Sequence, residues 1–303
     1  MDDKISLTYQ PSGKIGRSAF FWGVILIIIV LPILAHIYAY LSWYTPLLVL
    51  NILVIIGFSY AIGIAVSIVI VKLGKVRNPK FVILITFLVA LIALYYAWAV
   101  WINLYMNAAE SYHLGRLSFT KTIAPNKDVY RLITQPSNLF AMLQEINETG
   151  AWSISTKQNH EGTGAVKGGF ATLIWVIEVI LIMAFSFIKI KGKASLPFSE
   201  EFDVWLPALK SGKLIYIDDL AMLETNQNEL QEIFLLQKNK VISYSQVIIY
   251  GLPGSEKYLT LINHQSFRDS KIKLSFKKGT PENQVLISEE LFNKIEFQIK
   301  RLR

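Results

Sequence analysis

The chain has 303 residues, of which 53% are hydrophobic and only 17% are charged. An average soluble domain carries about a quarter charged residues, and here charge is nearly absent from four long apolar runs and ordinary elsewhere. This distribution excludes a single soluble domain and is typical of a polytopic membrane protein with soluble appendages. The chain contains no cysteine, which excludes disulfides, thiolate metal sites and cysteine nucleophiles.

The net charge of +8 is concentrated in loops beside the apolar runs, and we interpret it as a topology signal and a source of contact with anionic membrane lipids. Nucleic-acid binding is not expected, because no basic motif interleaved with aromatic residues is present.

The first apolar run, over about 18–41, is too long for the core of a signal peptide and is therefore predicted to be a retained helix. Pro32 lies inside this run and predicts a modest kink. A short turn leads to the second run, over about 47–71, and the third run covers about 81–105. The turn and the two long runs predict antiparallel membrane helices.

Clusters of lysine and arginine predict which side of the membrane each loop occupies, because short basic loops are retained in the cytosol. The cations are Lys72, Lys75, Arg77 and Lys80 between the second and third runs, and Lys189, Lys191 and Lys193 after the fourth. Both termini are therefore predicted to be cytosolic. The expected domains are a cytosolic segment over 1–17, transmembrane helices over 18–106, an extracytoplasmic insert over 107–169, a fourth transmembrane helix over 170–190 and a cytosolic domain over 191–303.

Small residues recur at every fourth position of the second run, in two neighbouring rows. The first row is Gly57, Ala61 and Ala65, and the second is Ser59, Gly63 and Ser67. Small residues at this spacing let another backbone approach closely, so we interpret the rows as a helix-packing face within the chain or between copies of it. The alternative is chance, because membrane helices are rich in small residues.

Aromatic residues gather at the end of the third run and are interpreted as an interfacial belt, with a ligand groove as the rarer alternative. The following insert is predicted to hold a small folded lid, with a helix that Ser137 caps and Gly150 ends. The third helix itself could continue into the insert. The apolar stripe predicted for the lid helix is Leu139, Phe140, Leu143 and Ile146.

The cytosolic domain is predicted to be a small α+β domain with a mainly antiparallel sheet. Its expected strands cover 213–217, 241–250, 257–262 and 271–277, and its expected helices cover 226–237 and the stretch after Ser288. Asp218 and Asp219 are interpreted as a helix start rather than a magnesium site. The basic face of the last strand is either solvated or in contact with lipid headgroups, and its residues are Lys271, Lys273, Lys277 and Lys278.

Glu178 lies in the middle of the fourth run and is the residue of the sequence that most strongly indicates a functional or structural role. An ionised carboxylate at mid-bilayer costs about 2.5 to 3.5 kcal/mol even on a lenient insertion scale, so this group must be protonated, paired or facing water. A proton or cation site is one interpretation, and a polar tie to another helix is the other. The candidate partners are another chain or the residues Asn51, Ser59, Tyr60 and Ser67.

The sequence predicts a non-enzymatic membrane subunit that holds its cytosolic domain in a larger membrane or cell-envelope assembly, such as a secretion-type complex. No catalytic constellation is evident, no cofactor or metal is expected, and the glycine-rich stretch 162–169 fits neither phosphate-loop pattern. The expected partners are lipids, other subunits and further copies of the chain, in a bacterial inner membrane. A small transporter or channel that uses Glu178 is the alternative, and a membrane enzyme is the third hypothesis.

Overall fold

The structure is a computed structural model. It describes residues 8–45, 48–114, 117–122, 126–150, 152–153, 165–190, 192–218, 223, 230–236, 243–268, 274–278 and 282–302. The chain forms two compact units. The helical unit consists of Gly13–Ala194, and the sheet unit consists of Met1–Ser12 together with Ser195–Arg303.

Four helices of the described chain are long and apolar enough to cross a membrane, as the sequence predicts, and they identify an integral membrane protein. The elements of the helical unit are α1 Ala19–Ile25, a π-helical turn Leu26–Val30, α2 Leu31–Tyr44, α3 Leu48–Val66, a π-helical turn Ser67–Leu73, α4 Pro79–Met106, β1 Ala108–Leu114, β2 Leu117–Thr122, α5 Asn126–Thr134, α6 Pro136–Thr149, β3 Trp152–Ser153, β4 Ala165–Val166 and α7 Gly169–Ile190. We call Ala19–Tyr44 the first membrane helix, Leu50–Leu73 the second, α4 the third and α7 the fourth.

The four membrane helices pack as two close pairs, the first with the third and the second with the fourth. Further contacts join the first to the second and the third to the fourth. The first and third helices bury alanines at helical spacing, where the small side chain lets two backbones come near each other. These alanines are Ala35 and Ala39 on the first helix and Ala90, Ala93 and Ala97 on the third.

A π-helical turn interrupts the first membrane helix directly before Pro32, where the sequence predicts a kink. Proline has no backbone N–H, so the hydrogen-bond ladder must change at this point. In the structure the N–H of Leu31 donates to the carbonyl of Leu26, five residues earlier. A second π turn ends the second helix, and the N–H of Gly74 donates to the carbonyl of Val69 there at 2.9 Å. Such turns re-satisfy backbone groups that cannot be left unpaired in lipid.

The basic loop between the second and third helices is held against the segment that precedes the first helix. The Arg77 N–H donates to the carbonyl of Lys14 at 2.9 Å, and the Asn78 side-chain amide donates to the carbonyl of Gly13 at 3.1 Å. Asn78 also caps the third helix, because its Oδ1 accepts the Phe81 N–H at 3.0 Å. Gly16 lies directly against the backbone of Gly74. A Cβ on Gly16 would lie 2.2 Å from the Gly74 carbonyl oxygen, which is too close for any side chain.

The insert begins with a hairpin rather than with a continuation of the third helix, because β1 and β2 pair antiparallel directly after Met106. The lid helix α6 is present, but its N-cap is Gln135 instead of Ser137, since Pro136 takes the first helical position. It ends at Gly150, whose φ of 87° suits a glycine.

The aromatic end of the third helix provides a platform for the insert helices. Leu139, Leu143 and Ile146 are buried there, whereas Phe140 is 54% exposed and does not belong to the predicted stripe. The Tyr95 hydroxyl donates to the carbonyl of Ile133 at 2.8 Å. The rings that pack around these contacts are Tyr40, Trp43, Trp98, Trp101 and Tyr105. The belt interpretation is therefore incomplete, because these side chains also pack against folded protein.

The sheet unit is built on a five-stranded sheet in which every strand pair is antiparallel, in agreement with the prediction. Its elements are a 3-10 turn Lys193–Ser195, β5 Phe198–Ser199, β6 Val204–Trp205, β7 Ala208–Lys210, α8 Leu230–Ile233, β8 Tyr244–Tyr250, β9 Lys257–Arg268, β10 Leu274–Lys278, β11 Glu282–Ile287 and α9 Glu289–Arg301. The long strand β9 pairs with β8 along one side and with β10 and β11 in succession along the other.

The predicted strand over 213–217 is wrong, because only Leu214 forms isolated bridges, to Ser245 and Leu236. A polar side-chain network adds to the two backbone bonds between Leu214 and Ser245. The Ser245 hydroxyl accepts the Ile217 N–H at 2.8 Å and donates to Asn263 Oδ1 at 2.6 Å, and the Asn263 amide donates back to the Ile217 carbonyl at 2.8 Å. The buried serine is thus satisfied.

The last helix, α9, covers one face of the sheet through an apolar stripe. Ser288 caps it by accepting the Leu291 N–H at 3.2 Å, and the side chains of Leu291, Ile295 and Ile299 are buried in the core of the unit. The core also takes in Leu214, Ile217, Leu223, Leu230, Phe234, Val247, Ile249, Leu259, Leu261, Ile287 and Phe292.

The beginning of the chain belongs to the sheet unit, which composition alone does not indicate. We call residues 8–12 the N-terminal arm. Thr8 forms an antiparallel bridge with Val285 in β11, and the Tyr9 N–H donates to the Gln284 carbonyl at 2.8 Å. The Tyr9 ring packs edge-on against Tyr258, with 5.3 Å between ring centroids. The arm therefore extends the sheet edge beyond β11.

Candidate functional site

Glu178 of the fourth membrane helix accepts a hydrogen bond from the hydroxyl of Tyr38 in the first membrane helix, with 2.6 Å between oxygens. The fourth helix pairs most closely with the second helix, and the first pairs most closely with the third. The Tyr38–Glu178 bond therefore joins one close pair of helices to the other. An acidic side chain in an apolar helix thus meets a neutral donor inside the same chain.

Packing against the second membrane helix positions the Tyr38 side chain. Its side chain is 5% exposed, and its ring stacks on Phe58 of the second helix with a centroid separation of 4.3 Å and an interplanar angle of 14°. Leu31, Ala35 and Tyr38 form one buried stripe of the first helix at spacings of four and three residues. The phenol is thus aimed by packing, and three of the four membrane helices meet at this pair.

His36 lies on the same helix but is satisfied locally. Its Nδ1 lies 2.8 Å from the Pro32 carbonyl oxygen. A carbonyl oxygen can only accept, so this contact places the imidazole proton on Nδ1. The bond ties the imidazole to its own helix, one turn before the histidine.

Two of the partners expected for Glu178 from sequence form hydrogen bonds elsewhere. Asn51 Oδ1 accepts from the Ser42 hydroxyl at 2.9 Å, and the Ser59 hydroxyl donates to its own helix at the Ile55 carbonyl, 2.6 Å away. Tyr38 is not one of the partners that the sequence suggests, although a phenol within an apolar run is a hydrogen-bond donor that the sequence does show.

The second and fourth membrane helices approach most closely around Gly63. A Cβ at this position would lie 2.5 Å from the Ser186 carbonyl oxygen and 2.8 Å from Lys189 Cβ. One turn earlier, the Ser186 hydroxyl donates to the Ser59 carbonyl at 3.0 Å, and both serines are fully buried. The Lys189 ammonium lies 4.5 Å from the ring centroid of Tyr60, in a cation–π arrangement.

The two rows of small residues have different surroundings in the structure. Ser59 and Gly63 are buried against the fourth helix, and Ser67 is half-buried. In the other row, Gly57 is exposed and a Cβ added to it would meet nothing within 4 Å, while Ala61 and Ala65 are half-buried. The contact inside the chain therefore involves one row, and the role of the other row stays a prediction.

The basic residues used to predict topology lie at the ends of the membrane helices. Lys72 and Lys80 are exposed, Lys75 is half-buried and Arg77 is buried, while Lys193 is exposed. Lys191, Lys271, Lys273 and Asp219 lie outside the described residues. Lys277 and Lys278 belong to β10 and pair in register with Gln265 and His264; their contact with lipid stays a prediction.

Within the described ranges, no group of three or more histidine, aspartate or glutamate side chains is arranged to hold a metal ion. Asp218 is exposed, and its backbone carbonyl accepts from the Asn263 amide at 3.3 Å.

Comparison of the chain with protein-family models, with curated proteins and with solved structures finds no match in any of the three.

Proposed function

We propose that the protein is a non-enzymatic membrane subunit that presents its sheet unit at the cytosolic face as part of a larger membrane or cell-envelope assembly. The observation that carries this proposal is the N-terminal arm in the sheet unit. Because the arm and residues 195–303 fold together, the sheet unit is joined covalently to the helical unit at two points, after Ser12 and before Ser195.

A doubly attached domain is suited to holding a partner at a fixed place on the membrane. A single flexible linker lets a domain explore a volume that grows with linker length, whereas a second covalent connection removes part of that freedom. Four membrane helices also return the chain to the side from which it started. The arm and residues 195–303 therefore occupy one side, which the basic loops favour as the cytosol.

The topology can be tested by single-cysteine labelling, because the natural chain has no cysteine. Tyr130 in α5 is 71% exposed, and Gln231 in α8 is exposed. We expect an impermeant maleimide to label Tyr130→Cys on intact cells and Gln231→Cys only after permeabilisation. Labelling of Gln231→Cys from outside would overturn the cytosolic placement.

The assembly can be tested by mild solubilisation of a tagged chain expressed at its native level. We expect it to migrate above the mass of a monomer and to bring defined proteins with it. As a matched variant, Tyr9→Ala removes the ring packed on Tyr258 and should lower the yield of those proteins. A purely monomeric particle, together with proximity labelling that finds no stable partner, would refute the proposal.

A second candidate function, a small transporter or channel, is favoured by the Tyr38–Glu178 pair. Intramembrane acids commonly mark ion or proton paths, and this carboxylate is bonded to a neutral phenol in the described structure. Ion flux in proteoliposomes would be compared between the wild type and Glu178→Gln. Equal flux, or none in either, would exclude this role.

A further inference from the structure

The sheet unit contains a half-open groove of about 480 Å³, which the functional proposal does not use. One wall is the N-terminal arm, another is the turn between β5 and β6, and the third is the start of β9. The volume lies within the range of about 300 to 1,000 Å³ that is usual for ligand-binding clefts. The groove is complete only when the arm is docked on the sheet unit.

The floor of the groove is aromatic and apolar. Phe198, Leu206 and Tyr258 line it, and each is at most 7% exposed. The Tyr9 ring stands edge-on to Tyr258 along the arm. A long aliphatic stem would find apolar atoms to contact on such a floor.

The rim of the groove is acidic. Glu200, Glu201 and Glu256 line it, whereas no lysine or arginine is among the described lining residues. All three side chains are exposed. Glu256 accepts a hydrogen bond from the Tyr258 hydroxyl, which brings one carboxylate to the edge of the aromatic floor. Three acids facing one cleft stand out in a chain whose net charge is +8.

We infer that this groove docks an arginine or lysine side chain carried by an extended segment of a partner protein. The stem of such a side chain matches the floor, and its charged head matches the carboxylate rim through charge-assisted hydrogen bonds. Anionic lipid headgroups and nucleic acids do not fit, because their uncompensated phosphates would face Glu201 and Glu256. The inference rests on the proposed function, since it names the chemistry of one partner of the assembly.

The test uses the full chain in nanodiscs of neutral phosphatidylcholine, so that a basic probe does not bind the lipid. The probe is a fluorescein-labelled nonapeptide with two arginines separated by one leucine in a glycine–serine background. Its matched control replaces both arginines by citrulline, which keeps the shape and removes the charge. Binding is measured by fluorescence anisotropy at low and physiological salt.

We expect the arginine peptide to bind and the citrulline peptide to bind about tenfold more weakly, a difference of about 1.4 kcal/mol. The double variant Glu201→Gln/Glu256→Gln should weaken the arginine peptide by a similar factor, and binding should fall with added salt. Glu232→Gln, which removes an exposed carboxylate of the same unit outside the groove, should leave it unchanged.

Equal affinity for the two peptides, no binding to the wild type, or equal loss with Glu232→Gln would overturn the inference. Native-level purification of the Glu201→Gln/Glu256→Gln variant separates this result from the proposed function. If the partner proteins still purify with this variant while the wild type fails to bind the peptide, only the groove inference is lost. A wild type that binds the peptide but purifies as a monomer without partners would remove the proposed function instead.

Discussion

Replacing Gly63 by alanine is expected to force the second and fourth membrane helices apart. The added Cβ would lie 2.5 Å from the Ser186 carbonyl oxygen, about 0.9 Å short of the 3.4 Å at which ordinary contact begins. The opposing atom is backbone, so it cannot rotate away as a side chain could. The fourth helix must shift, and the 3.0 Å bond from the Ser186 hydroxyl to the Ser59 carbonyl must lengthen.

The size of this effect follows from three contributions. Overpacking of a tight contact costs about 1 to 3 kcal/mol, and weakening one interhelical hydrogen bond costs about 0.6 kcal/mol in a membrane. Alanine regains up to about 1 kcal/mol as a better helix former than glycine. The net destabilisation expected for Gly63→Ala is therefore roughly 0.6 to 3.6 kcal/mol.

Gly57→Ala is the matched control, because it makes the same change in the same helix where a Cβ meets nothing within 4 Å. It should be neutral or stabilising by up to about 1 kcal/mol. The free energies of unfolding would be compared by titration with sodium dodecyl sulfate in mixed micelles, followed by helical circular dichroism. If Gly63→Ala proved as stable as Gly57→Ala, the close contact would be refuted.

Three further perturbations test the polar pair and the last helix. In a double-mutant cycle with Tyr38→Phe and Glu178→Leu, which removes the acceptor that Gln would keep, we expect a coupling of about 0.6 to 1.7 kcal/mol in the same unfolding assay, between the average and the maximum measured for membrane hydrogen bonds. Ser288→Ala removes the cap of α9 and should destabilise the sheet unit by about 1 kcal/mol, measured by thermal unfolding. The Lys294 ammonium, bonded to Glu290, lowers the pKa of that carboxyl. The stability that this ion pair contributes is present above the ordinary glutamate pKa of about 4.3, and it is lost as the pH falls through the lower pKa of Glu290 in the folded state. Glu290→Gln should therefore reduce the sensitivity of α9 to acid.

Each of these perturbations has a control. Additive single-variant effects in the cycle would show that Tyr38 and Glu178 do not interact. Ser288→Thr keeps a capping hydroxyl, so a loss equal to that of Ser288→Ala would contradict the capping role. For the pH experiment, Glu289→Gln alters a neighbouring acid of the same first turn. An unchanged acid profile of Glu290→Gln would show that its pair with Lys294 has no effect on stability.

Local patterns in the sequence determined the elements whose signals lie within a few residues. Apolar length alone identifies the four membrane helices, because about 20 apolar residues are needed to cross a bilayer. The caps at Asn78 and Ser288 are also local, since one side chain accepts an N–H three residues later. The antiparallel pairing of β8, β9, β10 and β11 follows from connections of only a few residues, which are too short for a helical crossover.

Contacts between distant segments could not be read from such patterns. The stretch 213–217 is rich in strand-forming residues, yet Leu214 and the Ser245 hydroxyl join it to β8 without a continuous ladder. The predicted apolar stripe includes Phe140, which directly follows Leu139. Adjacent residues of a helix point in different directions, and only Leu139 is buried against the aromatic platform.

The sequence by itself determined that Glu178 needs a partner, because burying a carboxylate in lipid is costly. Only the tertiary structure decided that the partner is Tyr38, 140 residues away, and that Gly63 rather than Gly57 meets another backbone. It also decided that the N-terminal arm completes the sheet unit. The physical reason is that hydrophobicity and capping act locally along the chain, whereas the choice among several polar or small residues depends on which helix faces and strand edges are brought together in space.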